Sequence, residues 1–204
     1  MSRVEKILLV INLAIYLSIF GFSYAYVDLN LTLSQNPAAL WFVGILQNLG
    51  YFHRSLSTSI YLIWIATAFS FYILNLWLFY KKKLRGNYLK YAVVFSTLIL
   101  IFAYPFLSSD LFNYIFYSKI ILTYHASPYT HRALDFPGDD WLRFMRWVHG
   151  YAPYGPLWLS AALIPALLGF GKFILNLLMF KIFIGSFHLI NSYLIFRLSE
   201  LLQK

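Results

Sequence analysis

Asp110 is the residue of this chain best placed to do chemistry. It stands in Ser108-Ser109-Asp110, directly after an apolar run ending Tyr104-Pro105-Phe106-Leu107. A carboxylate at the mouth of a membrane span is costly to place and usually has a partner or a task. Ser108 or Ser109 can cap a helix that begins near Asp110. Helical spacing then brings Asp110, Asn113 or Tyr114, Tyr117 and Tyr124 toward one face. A carboxylate so placed, beside a donor, can act as general base for a sugar hydroxyl. It can equally do no more than favour the positive end of the helix dipole, and residue chemistry leaves both readings open.

The polar segment 108–155 that Asp110 opens also gathers cations. Lys119 lies on the expected helix; His125, His131, Arg132, Arg143, Arg146 and His149 follow it. Such groups suit a phosphate or diphosphate at a membrane surface. Pairing with Asp135, Asp139 and Asp140, together with contact to lipid headgroups, explains them equally well. The histidine spacing fits no compact ligand motif, so no metal is assigned. Asp139-Asp140 reads as a turn and helix start. Arg143 and Arg146, three apart, are expected to share one face of a short helix anchored by Trp141, Phe144 and Trp147. Tyr151-Ala152-Pro153-Tyr154-Gly155-Pro156 reads as a rigid aromatic turn that restarts an apolar helix.

The elements that must hold these residues are membrane helices. The chain is 61% hydrophobic and 11% charged, where soluble domains carry about 25% charged residues. The expected fold is an all-α integral membrane protein with about four to five transmembrane helices, and interfacial helices in two outer loops. Spans are expected over 7–27, 58–80, 88–107 and 173–196. The apolar stretch 156–170, interrupted by Pro165, is expected to be interfacial or re-entrant. Asn36-Pro37 starts a further short helix over 38–49. The +9 net charge does not indicate nucleic acid. Lys81, Lys82, Lys83, Arg85 and Lys90 form one block between apolar runs, the mark of a cytoplasmic loop. With Arg3 and Lys6 ahead of the first span, this puts the N-terminus in the cytoplasm and Asp110 outside; Arg197 and Lys204 return the far end to the cytoplasm. Cysteine is absent, which excludes disulfides and thiol nucleophiles. Residues 1–204 are expected to form one polytopic domain, with 108–155 as its extracytoplasmic loop. The polar stripe Lys181, Gly185, His188 and Ser192 on the last span is expected to face a bundle interior.

Taken in order, Ser108-Ser109-Asp110-Leu111-Phe112-Asn113-Tyr114, His125-Ala126-Ser127-Pro128-Tyr129 and Tyr154-Gly155-Pro156 resemble a known pattern. They are similar to the first large outer loop, and the helix after it, of polyprenol-phosphate-mannose-dependent mannosyltransferases of the GT-C type. Ser127 stands where that family usually has Asn. The resemblance implies a GT-C-like N-terminal half and inverting transfer of a sugar from a polyprenyl-phosphate donor to a glycan or lipid acceptor at the outer face of a cell membrane. It implies Asp110 as the base. Asn113, Tyr114, Lys119, Tyr129, His131, Arg132 and Tyr154 are the candidate substrate-binding residues, and no cofactor is expected. Members are generally longer, so the resemblance leaves three readings open: an N-terminal half, a truncated product, or one piece of a split enzyme whose partner chain supplies further helices. Two other functions remain open at this point: a non-catalytic subunit or scaffold of a larger complex, and a transporter or flippase of a lipid-linked substrate.

Overall fold

The computed structural model describes residues 1–202, and all regular structure among them is helical. They divide into two compact units, Met1–Tyr104 with the segment from Gly185 onward, and Pro105–Ile184.

The first unit begins with α1, Arg3–Ser23. Ser2 and Glu5 cap each other there: the Ser2 hydroxyl accepts the Glu5 N–H at 3.2 Å and the Glu5 carboxylate accepts the Ser2 N–H at 2.6 Å. α2, Pro37–Gln47, starts as expected. The Asn36 side chain accepts the Ala38 N–H at 2.9 Å, and Pro37 fills a first-turn position that needs no N–H. A π turn over Asn48–Phe52 follows, in which Gly50 lies so close to the Ala25 carbonyl that any side chain would collide. α3, Arg54–Tyr80, and α4, Gly86–Phe102, complete the run. Leu8, Leu78, Leu84 and Tyr88 form a buried apolar nucleus, and the Tyr88 hydroxyl donates to Asn75 Oδ1 at 2.6 Å.

Three helices are long and apolar enough to cross a membrane: Arg3–Tyr26 (α1 and a following 3-10 turn), Arg54–Tyr80 and Phe173–Leu202. The third span expected from hydropathy stops sooner than 107. α4 ends at Phe102 and Ala103 is already extended, with φ −66° and ψ 147°. Pro105 follows, and proline disfavours helical backbone before it. Seventeen residues reach only about 26 Å at 1.5 Å each, against roughly 30 Å of hydrocarbon.

The second unit is built on α5, Asp110–Leu122, and α6, Pro156–Leu168. Leu111, Phe112, Ile115, Phe116 and Ile120 are all buried, each worth about 1.5–3 kcal/mol. The helices approach closely where the Ser118 hydroxyl reaches the Ala162 carbonyl at 3.4 Å, with Ala162 fully buried. Gly169, whose face meets the Asn176 side chain, closes α6, and Phe170 and Gly171 take positive φ of 47° and 68° before α7, Phe173–Leu202. Phe173 stacks on Phe144 at 4.5 Å and on Phe112 at 6.2 Å. The helix expected to carry both Arg143 and Arg146 is instead a 3-10 turn, Asp140–Phe144, and Met145 is extended. Phe144 and Met145 are both buried. That packing overrides the weak local preference of so short a segment, so the two arginines do not share a helical face.

Candidate active site

Asp110 is the first residue of α5, and its N–H donates to Ser108 Oγ at 3.2 Å. Ser109 occupies the cap position but makes no side-chain bond. The Asp110 carboxylate is half-buried, and no hydrogen bond or ion pair joins it to any described residue. Its charge does reach two phenols one turn or more away. Burial raises the Tyr117 hydroxyl above the usual tyrosine range, and the Asp110 charge adds to the shift. Tyr154 is pushed higher still, by burial first, then by the adjoining Tyr114 hydroxyl, with Asp110 contributing. Both phenols therefore stay protonated and able to donate.

The aromatic wall around them is compact. Tyr114 meets Tyr154 edge-on at 4.8 Å and Trp158 at 5.0 Å, while Tyr117 lies 6.3 Å from Tyr154. Trp158 was not among the residues marked from sequence. It lies in the first turn of α6, past the extended Gly155 corner, so no helical spacing from Tyr154 marks it in the sequence.

Ser127-Pro128-Tyr129 and the 151–155 turn, more than twenty residues apart in the chain, are tied together. The Tyr129 hydroxyl donates to the Tyr154 carbonyl at 2.7 Å, and the Ala152 N–H donates to the Pro128 carbonyl at 2.8 Å. Ser127 shapes its own turn: its hydroxyl accepts the Tyr129 N–H, and its carbonyl accepts the His131 N–H at 2.9 Å. An open groove of about 540 Å³ runs beside this brace. Ile121, Leu159 and Leu163 supply apolar walls, and His125, Tyr129 and Ser160 supply polar groups.

The remaining marked residues divide by environment. Asn113 is buried, and its Oδ1 meets no hydrogen-bond donor. Lys119 is committed elsewhere: Nζ lies 2.6 Å from Asp139 Oδ2 and 3.9 Å from the Trp141 ring centroid. Asp139 also accepts the Tyr124 hydroxyl at 2.7 Å and the Trp141 N–H at 2.8 Å. Burial would raise the Asp139 carboxyl, but Lys119, Tyr124 and the Trp141 N–H together hold it below the usual carboxylate range. Tyr124, donating to that carboxylate and partly buried, is pushed up to about 12. His131 is exposed and its Nδ1 lies 3.0 Å from Thr130 Oγ1. Arg132 pairs with Asp135 at 3.5 Å and sits over the Tyr151 ring. Thus Tyr114, Tyr129 and Tyr154 belong to one connected cluster, which the Asp110 charge reaches without a direct bond, and Lys119 is paired elsewhere. Among the described residues no three His, Asp or Glu side chains gather as metal ligands would.

A family model described as "Alpha-(1->6)-mannopyranosyltransferase, N-terminal domain" matches residues 18–203. No curated protein and no solved structure matches the chain.

Proposed function

We propose, given that this chain belongs to the alpha-(1->6)-mannopyranosyltransferase family as a match to its N-terminal domain, that Asp110 is the base of a mannosyl transfer from a polyprenyl-phosphate donor. The observation that carries the reading is the Asp110 carboxylate itself, half-buried and unpaired, with its charge reaching two protonated phenols. A buried or half-buried carboxylate kept without a partner is expensive unless something else binds it.

The step balances simply. An acceptor hydroxyl gives its proton to an Asp110 oxygen as its own oxygen attacks the anomeric carbon of the donor. The bond from that carbon to the phosphate oxygen breaks, and polyprenyl phosphate leaves with the electron pair. Inversion of a β-linked donor yields an α-linkage, and a 1→6 linkage makes the acceptor a primary sugar hydroxyl, on a glycan or a glycolipid. Tyr114 and Tyr154 are the residues proposed to hold the acceptor, and the buried Asn113, whose Oδ1 has no donor, is kept as a candidate on the same helix as Tyr114. Lys119 is held by the buried Asp139, whereas Arg132 meets Asp135 only through a longer, exposed contact and His131 is exposed, so these two are the groups proposed to face the leaving phosphate. The apolar groove beside Tyr129 supports a lipid-linked donor. α4 is short of the hydrocarbon thickness, which a locally thinned bilayer accommodates. With α4 crossing in this way, the basic N-terminus and the 81–85 loop support an extracytoplasmic placement for Asp110.

The test is transfer of labelled mannose from polyprenyl-phosphate-mannose to an α-mannoside by the purified chain in lipid nanodiscs. Asp110→Asn is expected to lower turnover by about 10²–10⁴-fold. Undiminished transfer by that variant removes Asp110 from the mechanism.

A further inference from the structure

At one end of the first unit the cations are gathered into a surface. Glu5 is the device that gathers them. Fully buried, it spends one carboxylate oxygen on the Ser2 N–H and the other on the Arg85 N–H at 2.7 Å, eighty residues away. This bond pins the first turn of α1, with exposed Arg3 and Lys6, against the connection between α3 and α4. Beneath it lies the apolar nucleus of Leu8, Leu78, Leu84 and Tyr88.

The connection itself is shaped to display charge. Lys82 takes a positive φ of 55°, and the Lys83 N–H closes the turn on the Leu78 carbonyl at 2.9 Å. The ammonium groups of Lys81, Lys83 and Lys90 rest over the rings of Tyr80, Trp77 and Phe196, at 6.0, 5.7 and 4.6 Å from the centroids. Gly86 also lies against Phe196, where an added Cβ would come within 3.5 Å of the ring. Exposed ammonium groups over aromatic rings at the end of apolar helices match the depth of lipid headgroups. Among the described residues no carboxylate side chain competes for them. Glu5 is buried and consumed by backbone, and Glu200 is paired with Arg197 at 3.2 Å.

We propose that this surface, carried by Arg3, Lys6, the 81–85 connection and Lys90, binds the headgroups of anionic phospholipids. Clusters of about four to eight cations next to a span attract anionic lipid in general. The topological role of positive charge needs only the count of lysines and arginines. Here the first turn of α1 is also fastened to the connection by a dedicated buried carboxylate, which a count does not require.

That distinction sets the experiment. The full chain, purified in mixed micelles of phosphatidylcholine and phosphatidylglycerol, is analysed by native mass spectrometry for retained lipid. The wild type is expected to retain phosphatidylglycerol several-fold over phosphatidylcholine, with the preference fading as salt rises. Joint substitution K81Q, K82Q, K83Q and R85Q, all at exposed side chains, is expected to bring the preference down to near parity, a several-fold loss. Glu5→Gln is the sharper arm. It makes the chain more positive, so attraction by net charge alone predicts tighter retention. Gln has one acceptor oxygen for two N–H groups, so loss of the fastening predicts weaker retention. A preference unchanged in the joint variant overturns the proposal, as does one strengthened by Glu5→Gln. Loss of lipid preference together with charge-dependent co-purification of an acidic protein also overturns it, in favour of a protein partner.

Discussion

Two aspartates of the second unit were placed by the same fold and treated in opposite ways. Asp139 is almost fully buried and takes three donors, from Lys119, Tyr124 and the Trp141 backbone. Asp110 is half-buried and takes none on its carboxylate from the described residues. The first is what a structural carboxylate looks like, because a buried charge must be paired and hydrogen-bonded to be tolerated. The second is what a carboxylate looks like when its partner arrives with a substrate. The contrast also sorts the cations. Lys119, which sequence alone marked for the substrate, serves the structural aspartate.

The contrast breaks most easily by exchanging the readouts. Asp110→Asn is expected to cost about 10²–10⁴-fold in mannosyl transfer, while shifting stability by less than about 1 kcal/mol, the worth of a negative charge at a helix start. Asp139→Asn is expected to do the reverse. It leaves the Lys119 ammonium without its counter-ion, and removing one partner of a fully buried pair costs about 3–5 kcal/mol. Lys119 retains 18% side-chain exposure, so about 2–3 kcal/mol is expected in thermal unfolding. Transfer measured well below the melting temperature should fall far less than in Asp110→Asn. If both variants lose activity and stability in step, the two carboxylates do not have separate jobs.

A smaller effect sharpens how the site is braced. Tyr129→Phe deletes the bond to the Tyr154 carbonyl and leaves the ring. The expected loss is about 0.5–1.5 kcal/mol in stability, with a few-fold drop in kcat as Tyr154 loses its fixed backbone. A wild-type kcat in this variant would show that the Pro-Tyr and Tyr-Gly-Pro elements are joined for folding only.

What could be read from sequence follows the range of the interaction. The start of α2 at Asn36-Pro37 and of α5 at Ser108-Ser109-Asp110 was legible, because caps act over two or three residues. The long spans were legible from apolar runs, since hydrocarbon thickness sets their length. The early end of α4 was present in Tyr104-Pro105 but outweighed by hydropathy. The Lys119–Asp139 pair, the Tyr129–Tyr154 brace and the Glu5–Arg85 bond were not legible, because each joins distant segments through geometry that only folding supplies. Arg143 and Arg146 misled for the same reason: burial of Phe144 and Met145 decided the backbone between them.

The smallest expected effect is also the cleanest check on Asp139, because it is nearly flat. The Asp139 carboxyl lies below its ordinary value when folded, and an unfolded aspartate titrates near about 3.9. Its contribution is therefore complete above that value and is lost only as pH falls through the lower, folded one. Tyr124 runs the other way. Its folded value is about 12 against about 10 unfolded, so its contribution is complete below about pH 10 and fades as pH rises toward 12. Protection of the 123–155 segment from protease, read by mass spectrometry at constant ionic strength, should hardly change between about pH 5 and 9. His125, His131 and His149 lie in the same segment. Release of the segment between about pH 6 and 7 would mean that a histidine holds it, and the Lys119–Asp139 pair would lose its place as the structural half of the comparison.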